Sequence, residues 1–217
     1  MIPLAEQPMK IVDLSHPLVS GQVGFPTDPT LQIAVHATIA TQGFNLSRIE
    51  IGSHHGTHLD AMYHFLEDGK TVDQMPLGWF VGPARVLRIP KRPQEEITVD
   101  DLRPHEALLT PEAKILLATG WDKQFPSETF FTDHPSITLE AARYLAERKI
   151  RLLGMDLPTP SIQGAEFHRL LLAKQCEIVL VEALANLGNV PDEFTFIGLP
   201  LRILGCDGSP IRAVAMF

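Results

Sequence analysis

Twelve residues constrain this chain most: His54-His55-Gly56-Thr57-His58-Leu59-Asp60-Ala61-Met62-Tyr63-His64-Phe65. They hold four of its nine histidines and an aspartate. Neutral imidazole and carboxylate are the donors that zinc, manganese and iron accept. A fold of this chain therefore has to place these donors where their chemistry can be used.

The intervals say how. His54, Gly56, His58 and Asp60 are each two apart, so an extended backbone puts them on one face. Ile49, Glu50 and Ile51 alternate as a half-buried strand does, and a strand over 46–54 would lead into the motif. Past Gly56 the pattern predicts a helix. Thr57 is its cap, with Asp60 three residues on, and Leu59, Met62 and Phe65 form the apolar stripe. On that helix Asp60 and His64 would lie one turn apart, and Gly56 would let the backbone bend between strand and helix.

The stretch resembles the signature of the metal-dependent cyclase family, with its formamidase and isatin-hydrolase branches. That signature runs His-x-Gly-Thr-His-x-Asp-x-Pro-x-His. The chain matches it at His54, Gly56, Thr57, His58, Asp60 and His64, and carries Met62 where the family has proline. Looser likenesses lie at Asp13–Leu18, Pro26–Pro29, Thr119–Asp122, Glu182–Leu187, Leu199–Leu201 and Asp207–Ala213. Together they run over nearly the whole chain.

The resemblance implies a set of roles. His54, His58 and Asp60 would bind one divalent metal, zinc or manganese. Asp60 would bridge to a second ion held by His168 and Glu182, giving one or two ions per subunit. His64 would be the acid–base catalyst. The implied activity is metal-dependent amide hydrolysis, first of all arylformamidase action on N-formylkynurenine through a metal-bound hydroxide. Isatin-like opening of a cyclic amide is the alternative. The implied fold is α/β: a mixed β/β/α swivelling-type domain with a small β-barrel and flanking helices, assembled as a homodimer or larger homo-oligomer.

The residues themselves leave two other classes open. One is a metal-binding protein without catalysis, and the other is an oxygenase on a histidine–carboxylate site. There is no Gly-x-Ser-x-Gly elbow, no Gly-x-Gly-x-x-Gly and no phosphate loop.

A length of 217 residues predicts one domain over 1–217. A net charge of −8 argues against nucleic acid or an anionic membrane as partner and says nothing specific about substrate; the small-molecule amide substrate is what the resemblance implies. Residues 1–8 lack the pattern of a secretory signal, no apolar run is long enough to span a membrane, and Cys176 and Cys206 read as reduced thiols. The cytoplasm is the expected compartment.

In order, strands are predicted at 10–14, 31–37, 46–54, 84–89, 114–119, 151–156, 177–182, 194–199, 201–204 and 211–217. Thr98 is expected to cap a short helix, and 124–135 to form a surface loop with His134 on it. The clearest helix runs from Thr138 to 149, with Leu139, Ala142 and Leu145 as its stripe. A second covers 167–173 and carries His168. Strand, helix, strand predicts parallel crossovers. Glu182 ends a wholly apolar strand, where an ionised carboxylate needs a cation or donors if buried and nothing if it faces water. His16, before Pro17, is expected to shape its loop, and His36 to be exposed.

Overall fold

The computed structural model describes residues 9–22, 24–162 and 164–217. The reading of residues 1–8 lies outside them. In chain order the elements are β1 (Ile11–Asp13), β2 (Gln32–Ala37), α1 (Ile39–Gln42), β3 (Leu46–Glu50), β4 (His58–Asp60), β5 (Val81–Arg88), β6 (Glu96–Ile97), α2 (Val99–Leu102), β7 (Lys114–Ala118), α3 (Glu128–Thr132), β8 (Ser136–Ile137), α4 (Leu139–Glu147), β9 (Leu152–Met155), α5 (Ala165–Leu172), β10 (Val179–Glu182), β11 (Glu193–Ile197), β12 (Gly208–Pro210) and β13 (Val214–Met216).

Nine of the strands form one curled, open sheet in the order β1-β13-β11-β5-β7-β9-β10-β4-β12. Its centre, β5-β7-β9-β10, is parallel. The strands on either side pair antiparallel. The interiors of β7, β9 and β10 are wholly apolar, as parallel strands buried on both faces have to be. Ile115, Leu116, Leu117, Leu152, Leu153, Val179, Leu180 and Val181 are all fully buried. α4 and α5 supply the parallel crossovers and pack on each other.

Local chemistry explains these elements. Thr138 Oγ1 accepts the Ala141 amide at 3.2 Å and starts α4. Ala141, Ala142 and Leu145 then turn into the core. Thr98 and Asp101 form a capping box at the head of α2. At the ends of β7 and β9, buried Asp156 accepts hydrogen bonds from Thr119 N, Thr119 Oγ1 and Gly120 N. Burial nevertheless raises its carboxyl to about 6.

Several expectations fail. The helix after Thr57 does not form. Residues 58–60 are strand β4, and only a 3-10 turn, Met62–His64, follows. Thr57 is no cap: its hydroxyl donates to Ala183 O at 2.6 Å and accepts His16 N at 3.0 Å. The strand before the motif stops at Glu50, so His54 sits in a turn. Residues 201–204 lie outside any strand and are exposed. His134 is buried, its Nδ1 donating to Pro135 O at 2.7 Å. The loop around it contains α3.

One piece stands apart. Among the described residues, β2 and β3 pair only with each other. Ile33, Val35, Ile39, Phe44, Leu46 and Ile49 on this hairpin are all exposed. Of the alternating residues of 31–37, Leu31 and Ala37 at the ends are buried, while Ile33 and Val35 between them are exposed. His36 is exposed, as expected.

Candidate metal and acid–base site

Strand register brings the donors together. His58 and Asp60 are two apart on β4 and share a face. β10 runs antiparallel beside it, with Glu182 opposite His58. Glu182 thus reaches the same face from the carboxyl end of a parallel strand, where α/β sheets place their ligands. α5 lies against β10 and supplies His168. All four side chains are at least 95% buried.

The distances are short. His58 Nε2 lies 3.5 Å from Asp60 Oδ1 and 3.3 Å from Glu182 Oε2. His168 Nε2 lies 3.3 Å from Glu182 Oε1 and 3.5 Å from Asp60 Oδ2. Each imidazole is held by its other nitrogen. His58 Nδ1 donates to Gly56 O at 2.8 Å, and His168 Nδ1 donates to Gly164 O at 2.6 Å. Such second bonds fix the ring so that Nε2 faces the carboxylates.

His54 and His64 complete the cluster. His54 Nδ1 is 2.8 Å from Asp60 Oδ1, and its Nε2 is 2.8 Å from Asp207 Oδ2. The His64 ring stacks on His54 at 3.8 Å. Its Nδ1 is 3.5 Å from the same Asp207 oxygen. Gly56 makes the turn possible. Its φ is +65°, and a Cβ there would lie 2.7 Å from Leu18 Cδ2. Met62 points into the core, fully buried.

Charge is balanced inside the cluster. Burial opposes protonation of His54, but Asp60 and Asp207 outweigh it and raise its pKa to about 10. His168 is likewise lifted to about 10 against burial, by Asp60 and Glu182. Burial pushes the Asp60 carboxyl up, yet the surrounding imidazoles hold it well below its usual range. His64 shifts the other way: burial, helped by His54 and His168, lowers it against Asp60 and Glu182. Burial and the neighbouring imidazoles thus favour the neutral form of His64.

The donor set fits a divalent cation. Among the described residues, buried Asp60 Oδ2 has an ion pair with His168 Nε2 at 3.5 Å but makes no hydrogen bond. Such an oxygen calls for a positive partner. Two sets of three donors, each within 4.8 Å of one another, share Asp60: His54-Asp60-His64 and His58-Asp60-Glu182. Asp60 is central to both, as a bridging role requires. The grouping differs from the expected one, which joined His54 to His58 and left His64 out.

A cavity of about 270 Å³ opens over the cluster. His54, His58, His64, His168 and Glu182 form its polar floor, and Phe25, Phe65, Pro158 and Ile162 its apolar walls. It is small and mostly apolar with a few convergent polar groups, as small-molecule sites are. A larger cleft of about 440 Å³ shares Ser161 and Ile162 with it but holds none of the cluster.

The structure thus brings together every residue the sequence proposed: His54, His58, Asp60, His64, His168 and Glu182. It adds Asp207, which sequence reasoning missed. An aspartate before glycine reads as a turn, and 153 residues separate it from His54. His16 shapes the neighbouring loop through its amide on Thr57, and its ring stacks on Phe125.

A mixed α/β sheet carrying this histidine–carboxylate floor fits a metal-dependent hydrolase as the class of protein. Comparison with known proteins agrees. Residues 12–161 match the family model Cyclase, described as "Putative cyclase". The kynurenine formamidase of Geobacillus thermodenitrificans is 31% identical over 210 residues, covering 93% of this chain and 95% of that protein. Isatin hydrolase A from Labrenzia aggregata superposes with a TM-score of 0.85 at 26% identity, over 96% of this chain and 93% of that one. A solved structure titled as a potential metal-dependent hydrolase with cyclase activity gives a TM-score of 0.80 at 26% identity, over 96% and 98%. The chain belongs to the cyclase family, and it is a metal-dependent hydrolase of amide C–N bonds.

Proposed function

We propose that the chain is an arylformamidase that hydrolyses N-formylkynurenine to kynurenine and formate. The observation that carries this reading is the cluster itself: imidazoles and carboxylates converge on Asp60 Oδ2 at the floor of an apolar-walled cavity. In this reading His54, His58 and Asp60 hold one zinc or manganese ion, and Asp60, His168 and Glu182 hold a second where two are bound. A divalent cation at such a site acidifies water and polarises a carbonyl oxygen. The chain's own part is to bind the aryl ring between Phe25, Phe65 and Ile162, to exclude bulk water and to move a proton. His64, kept neutral beside the floor, takes a proton from the attacking water and delivers it to the departing amine nitrogen.

One observation favours a second substrate. Among the described residues lining the cavity there is no lysine or arginine to pair with a substrate carboxylate. A neutral cyclic amide, opened as isatin is, needs none.

The test is hydrolysis of both substrates by metal-stripped protein reloaded separately with zinc or manganese. Turnover of N-formylkynurenine that returns with metal supports the first reading. Turnover of the cyclic amide alone moves the assignment to the second. His64→Ala should lower kcat by at least about a hundredfold while metal content stays at the wild-type level. Loss of metal in that variant would make His64 a ligand, the role its grouping with His54 and Asp60 also permits.

The rest of the reading concerns context. We infer one domain over 1–217 whose curled sheet corresponds to the family's small barrel. The free thiols Cys176 and Cys206 support a cytoplasmic setting. Among the described residues no helix is long and apolar enough to cross a membrane. The isolated β2–β3 hairpin supports a homo-oligomer. A lone two-stranded ribbon is marginal in water, and a contiguous exposed apolar patch marks an interaction surface. Its occupant in this reading is a second copy of the chain.

A further inference from the structure

We infer that Asp207 is a positioning residue whose one carboxylate oxygen holds the metal ligand His54 and the acid–base residue His64 together. The inference rests on the metal site proposed above.

The geometry is specific. Asp207 Oδ2 accepts from His54 Nε2 at 2.8 Å and lies 3.5 Å from His64 Nδ1. With Nε2 tied down, His54 can offer only Nδ1 to a cation, and Nδ1 is the nitrogen beside Asp60. A carboxylate behind a ligating imidazole fixes its tautomer and raises its basicity. The same oxygen limits rotation of the His64 ring, which is stacked on His54. Ligand and proton carrier are thereby set by one group.

The backbone around Asp207 is built for this. Gly208 pairs with Asp60 across β12 and β4. A Cβ on Gly208 would lie 2.6 Å from His54 Cε1 and 3.0 Å from His54 Nε2. The missing side chain is the seat of the imidazole. Asp207 also accepts the Ala61 amide through its own carbonyl at 2.9 Å. That bond holds the loop in place whatever the Asp207 side chain is. The side chain itself is 36% exposed, so replacing it buries no new charge.

The experiment measures zinc and manganese affinity by competition with a chromophoric chelator, without substrate. Asp207→Ala is expected to bind metal about 10- to 100-fold more weakly, the usual cost of removing such a partner. Asp207→Asn keeps an oxygen acceptor and should recover part of the loss. At saturating metal Asp207→Ala should also lower kcat with KM nearly unchanged, because His64 is freed. Melting of the metal-free variants within a few degrees of wild type would show that the fold is intact. Should the alanine variant fail to fold, the asparagine variant carries the test, with about threefold weaker binding as the least loss expected. Metal affinity within twofold of wild type in the folded variant tested overturns the inference, whatever kcat does. A wild-type chain that takes up neither metal overturns the metal-site reading itself, and that failure is separate.

Discussion

His16 shows how one buried ring couples this fold to pH. Its imidazole stacks on Phe125 at 3.9 Å and meets the edge of Phe130 at 6.1 Å. Its Nε2 is buried and makes no hydrogen bond. Burial therefore lowers the pKa from 6.5 to about 4, against the pull of Asp122. The unfolded chain binds the proton more readily than the native one. Stability from this residue is complete above pH 6.5 and is lost as pH falls towards 4. The expected size, discounted for partial exposure, is on the order of 1 kcal/mol. His16→Phe keeps the stack and removes the titration. Its melting temperature should fall less steeply than wild type between pH 6.5 and 4.5. Parallel slopes would show that some other group carries the effect.

At the scale of elements, the approach of β9 to its neighbours depends on one glycine. A Cβ on Gly154 would lie 2.3 Å from Leu116 Cδ2 and 2.8 Å from Leu184 Cδ1. Leu116 is central in β7, so neither strand can move away without disturbing the parallel core. Gly154→Ala should cost about 1–3 kcal/mol as an overpacked core does, read as a lower urea midpoint with m unchanged. A midpoint equal to wild type would mean that the two leucines repack freely. The elements that could be read from sequence are those with period and caps: α4 behind Thr138, α5 with His168, and the apolar runs of β7, β9 and β10. The short ones could not. β4 is three residues long, and the sequence predicts a helix there because Thr57, Leu59, Met62 and Phe65 have helical spacing by coincidence. Its conformation is set by pairing with β10 and β12, strands far away in sequence. β12 was missed for the same reason, and Asp207 with it. His54, His58, Asp60 and His64 can be read as a cluster because imidazole and carboxylate at these intervals carry chemistry whatever backbone holds them, whereas His168 and Glu182 are reached only through the family resemblance.

At the scale of the whole molecule, the hairpin and the cluster each predict a linkage. The β2–β3 ribbon exposes Val35 and Ile49 on strands that, among the described residues, pair with no other strand. A Val35→Glu/Ile49→Lys pair should shift the mass measured by light scattering from an oligomer to a monomer. A wild-type monomer would sink that reading at once. The cluster links stability to metal and to protons together. Asp60 and Glu182 are buried, and in the metal-free protein their charge is met by protons on His54 and His168, both with pKa values near 10. A cation has to displace those protons, so its affinity falls as pH falls. Zinc or manganese at a hundred times its Kd should stabilise the native state by about 2.7 kcal/mol. For a chain of this length that is roughly 5–10 °C in melting temperature. The rise should be larger at pH 8 than at pH 6 for the same metal concentration. An equal rise at both would mean that the metal meets imidazoles already neutral, and that the buried carboxylates are balanced by something other than His54 and His168.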